Sequence, residues 1–133
     1  MLSGVNHITI AVKDLDKSIH FYVDLLGIDI KVRWAGGAYL ELAGQWLCLS
    51  VDCTEPNNDY SHIAFDISKP DYQQFSQRLI DNNVVQWKVN KSEGDSLYFL
   101  DPDGYKLELH VGGLTSRIEV MRNQNDKQII FYD

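Results

Sequence analysis

Apolar and polar positions alternate with a period of two over His7-Ile8-Thr9-Ile10-Ala11-Val12 and again over His62-Ile63-Ala64-Phe65-Asp66-Ile67. Such alternation marks strands buried on one face. A strand is therefore expected over 5–12, then a helix with Asp14 as N-cap, running to about residue 26 and stopped by Gly27. Leu15, Ile19, Tyr22 and Leu26 fall at helical spacing and should form its buried face. Three strands are expected next, over 28–34, 38–43 and 46–51, with turns at Gly36-Gly37 and Gly44-Gln45. The polar stretch 52–59, which contains Pro56, reads as a linker.

The pattern then repeats. A strand over 60–67 leads to a helix opened by Pro70, with Tyr72, Phe75 and Leu79 facing inward and an end near Asn82-Asn83. Strands over 84–89, 96–100 and 105–111 follow, the last two joined by the turn Asp101-Pro102-Asp103-Gly104. A short helix over about 114–122 and an irregular tail complete the chain. The order is β-α-β-β-β twice, an α+β protein made as one domain of two modules, about 4–51 and 60–111. The last strands also match, with Leu47-Cys48-Leu49 against Leu107-Glu108-Leu109. Their offset is 60 (108 − 48), against 55 for the histidines (62 − 7), so the second copy carries extra residues in between.

Strand alternation sorts the side chains. Ile8, Ile10 and Val12 share one face, as do Ile63, Phe65 and Ile67, and Leu107, Leu109 and Val111; these apolar faces should cover helices. The opposite faces hold His7, Thr9 and Ala11, His62 and Ala64, and Glu108 and His110. The same rule adds Tyr39, Glu41, Trp46, Cys48, Ser96 and Tyr98. A face that gathers polar and aromatic groups is a binding surface.

Composition narrows what it can bind. With 12 basic and 19 acidic residues the 133-residue chain has a net charge of −7, which argues against a nucleic-acid partner. Two cysteines, Cys48 and Cys53, are too few for a disulfide framework. No apolar run approaches membrane length and no secretory signal is visible, so a cytoplasmic protein is the default expectation.

Two histidines at equivalent places in a repeat, with a carboxylate on the matching face, suit a divalent first-row metal that keeps open positions. His7, His62 and Glu108 are the candidate ligands. Cys48 occupies the fourth symmetric position, either as a further ligand or as a vacancy in the set. Solvated polar residues on a strand face are the alternative for any one of these side chains taken alone. His20 reads as a surface residue, Cys53 as a linker thiol, and His110 as either a partner of Glu108 or an exposed strand end. The loop 88–96, Lys88-Val89-Asn90-Lys91-Ser92-Glu93-Gly94-Asp95-Ser96, gathers cations, hydroxyls, amides and carboxylates around one glycine. It can cradle an anion or a monovalent cation, or be a solvated hairpin loop. Arg117 is a further candidate anion partner.

These stretches, above all Asn6-His7-Ile8-Thr9, Gly37-Ala38-Tyr39-Leu40-Glu41-Leu42, Trp46-Leu47-Cys48-Leu49-Ser50 and the run from Asn90 to Gly104, resemble the vicinal oxygen chelate superfamily. Within it they are most similar to the glutathione-dependent fosfomycin-resistance proteins, over essentially the whole chain. The resemblance implies two βαβββ modules forming a cup-shaped mixed sheet, in a homodimer that exchanges modules so that metal sites are shared between subunits. It implies Mn(II) held by His7, His62 and Glu108, and K+ held by Asn90, Ser92, Glu93, Gly94 and Ser96. Fosfomycin's phosphonate would be bound by Lys88, Ser92, Tyr98 and Arg117, with Thr9 beside the metal. Glutathione would approach from the side of Trp34, Tyr39, Trp46 and Cys48, with Tyr39 donating to its thiolate. The implied activity is metal-dependent opening of the fosfomycin epoxide by the glutathione thiol.

Relatives that use water resemble this chain but carry a glutamate in the turn that here holds Gly44, which disfavours hydration. Relatives that use other small thiols tend to have Cys where this chain has Thr9, which favours glutathione. A glyoxalase, a ring-cleaving dioxygenase or a non-catalytic drug-binding protein of the same fold are the competing expectations. Neither of the two enzymes accounts for Lys88, Ser92, Tyr98 and Arg117 together, and drug-binding proteins of this fold typically lack the metal triad.

Overall fold

The structure is a computed structural model that describes residues 1–91 and 94–132. Its elements run β1 (His7–Val12), α1 (Leu15–Ile19) continued by a π-helical segment (His20–Leu25), β2 (Asp29–Trp34), β3 (Gly37–Leu42) and β4 (Gln45–Val51). They continue with β5 (Ile63–Asp66), α2 (Lys69–Asp81), β6 (Gln86–Lys88), β7 (Ser96–Leu100), β8 (Lys106–His110) and α3 (Leu114–Asn123). The α+β architecture and the twofold β-α-β-β-β order follow the expectation. The chain forms two compact units: 1–61 with 100–105, and 62–99 with 106–133. Among the described residues no helix is long and apolar enough to cross a membrane.

In the first unit the strand order is β1-β4-β3-β2. β1 pairs with β4 in parallel, and β3 pairs antiparallel with both β4 and β2. Ile10, Val12, Ala38, Leu40, Leu47 and Leu49 are buried, so one face of β1, β3 and β4 supplies the core as alternation requires, while β2 is exposed along its length. Gly37 allows a close approach, since a Cβ there would collide with the Leu49 carbonyl oxygen. The hairpin turns lie one residue earlier than expected. β3 begins at Gly37 and β4 at Gln45, leaving Ala35-Gly36 and Ala43-Gly44 as the turns. Ala43 and Gly44 both have positive φ (49° and 84°), the combination that a two-residue turn matched to strand twist demands.

The first helix departs from its predicted face. Asp14 caps it as expected, its side chain accepting from the Lys17 N–H at 3.1 Å. From His20 the ladder widens to i→i+5, with Leu26 N–H donating to the Phe21 carbonyl at 2.9 Å. The extra residue in that turn rotates the buried stripe. Phe21 and Tyr22 are buried with Leu15 and Ser18, while Ile19 and Leu26 are only half-buried.

The second unit repeats the order as β5-β8-β7-β6, again with a parallel β5/β8 pair. Thr9 lies opposite Cys48 in the first sheet and Ala64 opposite Glu108 in the second, so Cys48 and Glu108 occupy equivalent positions, as the two offsets require. β5 and β6 are shorter than their alternation suggested, and His62 immediately precedes β5. Pro70 stands in the first turn of α2, whose Leu79 and Ser76 are buried.

Residues 100–105, the turn between β7 and β8, group with the first unit. The Tyr22 hydroxyl donates to Asp101 Oδ2 at 2.7 Å. Asp101 Oδ1 accepts from the Asp103 and Tyr105 N–H groups, both at 2.9 Å. Lys13 N–H donates to Asp103 Oδ1 at 3.2 Å. Burial pushes the Asp101 carboxyl up, against the Tyr22 hydroxyl and the two backbone N–H groups that hold it down. Burial first, and the adjacent Asp101 second, push the Tyr22 phenol far above its usual range.

A raised folded-state value means that ionised Asp101 is disfavoured by the fold; the stability tied to its protonated form is lost as pH rises through that value. Tyr22→Phe removes a donor that eases the ionised form. Its cost should therefore be greater at neutral pH, about 1.5–3 kcal/mol for a bond to a charged acceptor, than in acid, about 0.5–1.5 kcal/mol for a neutral one. Urea unfolding of both proteins at the two pH values measures the difference, and an equal or larger loss in acid contradicts it.

Candidate active site

On the first sheet the register sets out two rows of side chains. His7 lies opposite Trp46, and Trp46 opposite Glu41; Thr9 lies opposite Cys48, and Cys48 opposite Tyr39. Alternation on all three strands puts both rows on the face away from the core. Four rings run along it. Trp34 and Tyr39 meet edge-on at 4.8 Å, Tyr39 and Trp46 edge-on at 5.0 Å, and Trp46 and His7 at a tilt at 4.4 Å. Trp34, Tyr39 and Trp46 remain exposed within the described chain. Such ring faces and edges suit a flat or soft, polarisable ligand group. The sequence placed Tyr39, Trp46 and Cys48 on this face by alternation; Trp34 had only the family resemblance to single it out.

His7 has a side-chain neighbour that bears on its tautomer. Asn6 Oδ1 lies 2.8 Å from His7 Nδ1 and can only accept there, so Nδ1 carries the proton. In a neutral imidazole that leaves Nε2 with a free lone pair.

On the second sheet, His62 Nε2 lies 2.9 Å from Glu108 Oε1. Two donors at right angles, each about 2.1 Å from one ion, lie about 3 Å apart, so this pair matches neighbouring corners of a metal's coordination shell. Glu108 is buried, and its other oxygen, Oε2, lies 3.1 Å from His110 Nδ1. Imidazole nitrogens and a carboxylate oxygen are donors that suit Mn(II), Zn(II) or Fe(II). Among the described residues no group of three or more His, Cys, Asp or Glu side chains in the chain could hold a metal. His62 and Glu108 come together in the second unit, and His7 belongs to the first.

Around His62 the rings of Trp87 and Tyr98 pack edge-on, 5.5 and 6.1 Å away, with Trp87 and Tyr98 5.1 Å apart. The Trp87 indole N–H donates to the Leu107 carbonyl at 3.0 Å. Lys88 Nζ sits 4.8 Å from the Tyr98 ring centroid and Lys106 Nζ 5.6 Å from that of Trp87. Two ammonium groups thus lie over the rings that pack on His62, and such cations suit an anionic group. Trp87 escaped the sequence reading. A register shift between Gln86 and Lys88 breaks strict alternation there, so consecutive residues both reach Tyr98.

Of the candidate loop, Ser92 and Glu93 lie outside the described residues. Asn90 Nδ2 donates to the Gly94 carbonyl at 2.9 Å, Asp95 accepts from the Val111 N–H at 2.9 Å, and Ser96 Oγ lies 2.6 Å from His110 Nδ1. Ser96 and Tyr98 are buried, more so than solvated loop-end residues would be. Arg117 is half-buried on α3.

Residues 4–109 match the Glyoxalase/Bleomycin resistance protein/Dioxygenase superfamily. The chain is 46% identical to the glutathione transferase FosA of Serratia marcescens, over 98% of this chain and 96% of that protein. It is 39% identical to a metallothiol transferase FosB of Staphylococcus epidermidis, over 99% and 97%. Its fold superposes on the fosfomycin resistance protein FosX of Listeria monocytogenes, a structure complexed with Mn(II) and sulfate, with a TM-score of 0.84 and 30% identity over 91% of this chain and 99% of that one. This chain belongs to the glyoxalase/bleomycin resistance protein/dioxygenase superfamily, in the branch that holds the FosA and FosB thiol transferases.

Proposed function

We propose that the protein is a metal-dependent glutathione transferase that inactivates fosfomycin by opening its epoxide with the glutathione thiol. The observation that carries this reading is the His62–Glu108 pair at 2.9 Å, flanked by Tyr98 and Lys88, in a chain 46% identical to a glutathione transferase. His7, His62 and Glu108 would hold Mn(II), with His7 contributed by one protomer of a homodimer and the other two ligands by its partner. When bound, the cation supplies a Lewis acid for the oxygen of the opening ring.

The chain's own residues do the rest. Lys88 and Arg117, with the hydroxyls of Ser92 and Tyr98, hold the phosphonate so that one epoxide carbon faces the thiol. Thr9, two residues along the strand from His7 on the same face, offers a hydroxyl beside the reacting oxygen. Trp34, Trp46 and Cys48 line the approach of glutathione, and the Tyr39 hydroxyl donates to its thiolate, steadying the sulfur. The sulfur attacks carbon, a C–S bond forms as the ring C–O bond breaks, and the oxygen leaves with the electron pair and takes up a proton from solvent. No covalent enzyme intermediate is needed. Asn90, Ser92, Glu93, Gly94 and Ser96 would hold K+, adding positive charge near the phosphonate. Hydration would need a base to deprotonate water, and the Ala43-Gly44 turn carries no carboxylate; its φ of 84° at Gly44 also disfavours a longer side chain.

Mass spectrometry of fosfomycin incubated with protein, Mn(II), K+ and glutathione should give the glutathione adduct, and no product when glutathione is omitted. A diol in both mixtures would instead mean a hydrolase. Glu108→Ala should abolish turnover and release Mn(II) on dialysis; full activity in the metal-free variant would overturn the mechanism. Titration with KCl should accelerate the reaction where NaCl at equal ionic strength does not, and equal responses would remove the K+ site.

A further inference from the structure

Glu108 is a buried carboxylate with two histidine partners, and only one of them, His62, has a role in the site described above. The other is His110, two residues on along the same strand. Its Nδ1 lies 3.1 Å from Glu108 Oε2 and 2.6 Å from Ser96 Oγ on β7. A proton on Nδ1 would lie within reach of both oxygens, and an ionised carboxylate can only accept. Ser96 is buried at the start of β7. The strand ends are joined again one residue on, where Val111 N–H donates to the Asp95 carbonyl at 2.9 Å. Gly94 fits the same junction, since a Cβ there would sit 3.0 Å from the Val111 carbonyl oxygen.

We propose that His110 is a positioning residue that ties Glu108 to Ser96, occupying Oε2 so that Oε1 is aimed beside His62 Nε2 as a metal donor. This rests on the reading of Glu108 as a metal ligand. A carboxylate held at one oxygen loses its freedom to rotate before it binds a cation, so less ordering remains to be done on binding. Partners of this kind are commonly worth 10- to 100-fold in metal affinity. The chain Ser96–His110–Glu108 also links the start of β7 to the carboxylate.

The test is the Mn(II) dissociation constant, read from the electron paramagnetic resonance signal of the free ion, for wild type, His110→Ala, His110→Gln, Ser96→Ala and the double variant His110→Ala/Ser96→Ala. Circular dichroism melts confirm folding of each. His110→Ala should weaken binding about 10- to 100-fold, and His110→Gln, whose amide can still donate to Oε2, should recover much of the loss. Ser96→Ala should weaken binding less than His110→Ala, and the double variant should bind no more weakly than His110→Ala alone. Unchanged affinity in folded His110→Ala and His110→Gln, with wild type binding Mn(II) and forming adduct, would overturn the positioning role and leave the proposed function standing. Multiplicative losses in the double variant would break the Ser96 link. Wild type that takes up no divalent ion would sink both readings.

Discussion

The bond from the Tyr22 hydroxyl to Asp101 fixes where one hairpin turns, and much of the candidate chemistry is counted from that turn. Asp101 organises the turn itself by accepting from two N–H groups within it, and Tyr22 fixes the whole against the π-helical segment. Ser96 and Tyr98 on β7 and Glu108 and His110 on β8 are placed by how many residues separate them from the turn. Because side chains alternate strictly along a strand, a slip of one residue would carry Glu108 to the apolar face and Leu107 or Leu109 to the site. The cost of burying a carboxylate there is thus set against the precision of a register.

Glu108 poses the same problem closer to the chemistry. A buried carboxylate needs compensation, and two imidazoles provide it from opposite oxygens. Oε1, beside His62 Nε2, is the oxygen that would be offered to a divalent cation, and Oε2 is the one that faces His110. The aromatic face of the first sheet is built on a different principle. Its rings support one another edge to edge, so their exposed positions are held by mutual packing as well as by the strands.

Much of this was legible from the residues because a period of two is a strong signal. The faces of β1, β3, β4 and β8 follow from alternation, and the equivalence of Cys48 with Glu108 follows from two sequence offsets that the parallel registers reproduce. What escaped the sequence were features that change a period without changing composition. The π-turn after His20 moved the buried face to Phe21. The turns at Ala35-Gly36 and Ala43-Gly44 began one residue early, and in the second an alanine adopts the positive φ that glycine was expected to supply. The irregularity at Trp87 let neighbours share a side. His110 was left between two readings because only the distance to Glu108 could choose between them.

The paired positions Cys48 and Glu108 bear on descent. A doubled module carries each of its positions twice, and a side chain lost from one copy is tolerated wherever the other retains it. The two copies differ there: Cys48 lies opposite Tyr39 in the first sheet, and Glu108 has imidazole neighbours in the second. In a chain of 133 residues two like strand pairs thus carry unlike surroundings, a ring-lined face about Cys48 and an imidazole-flanked carboxylate at Glu108.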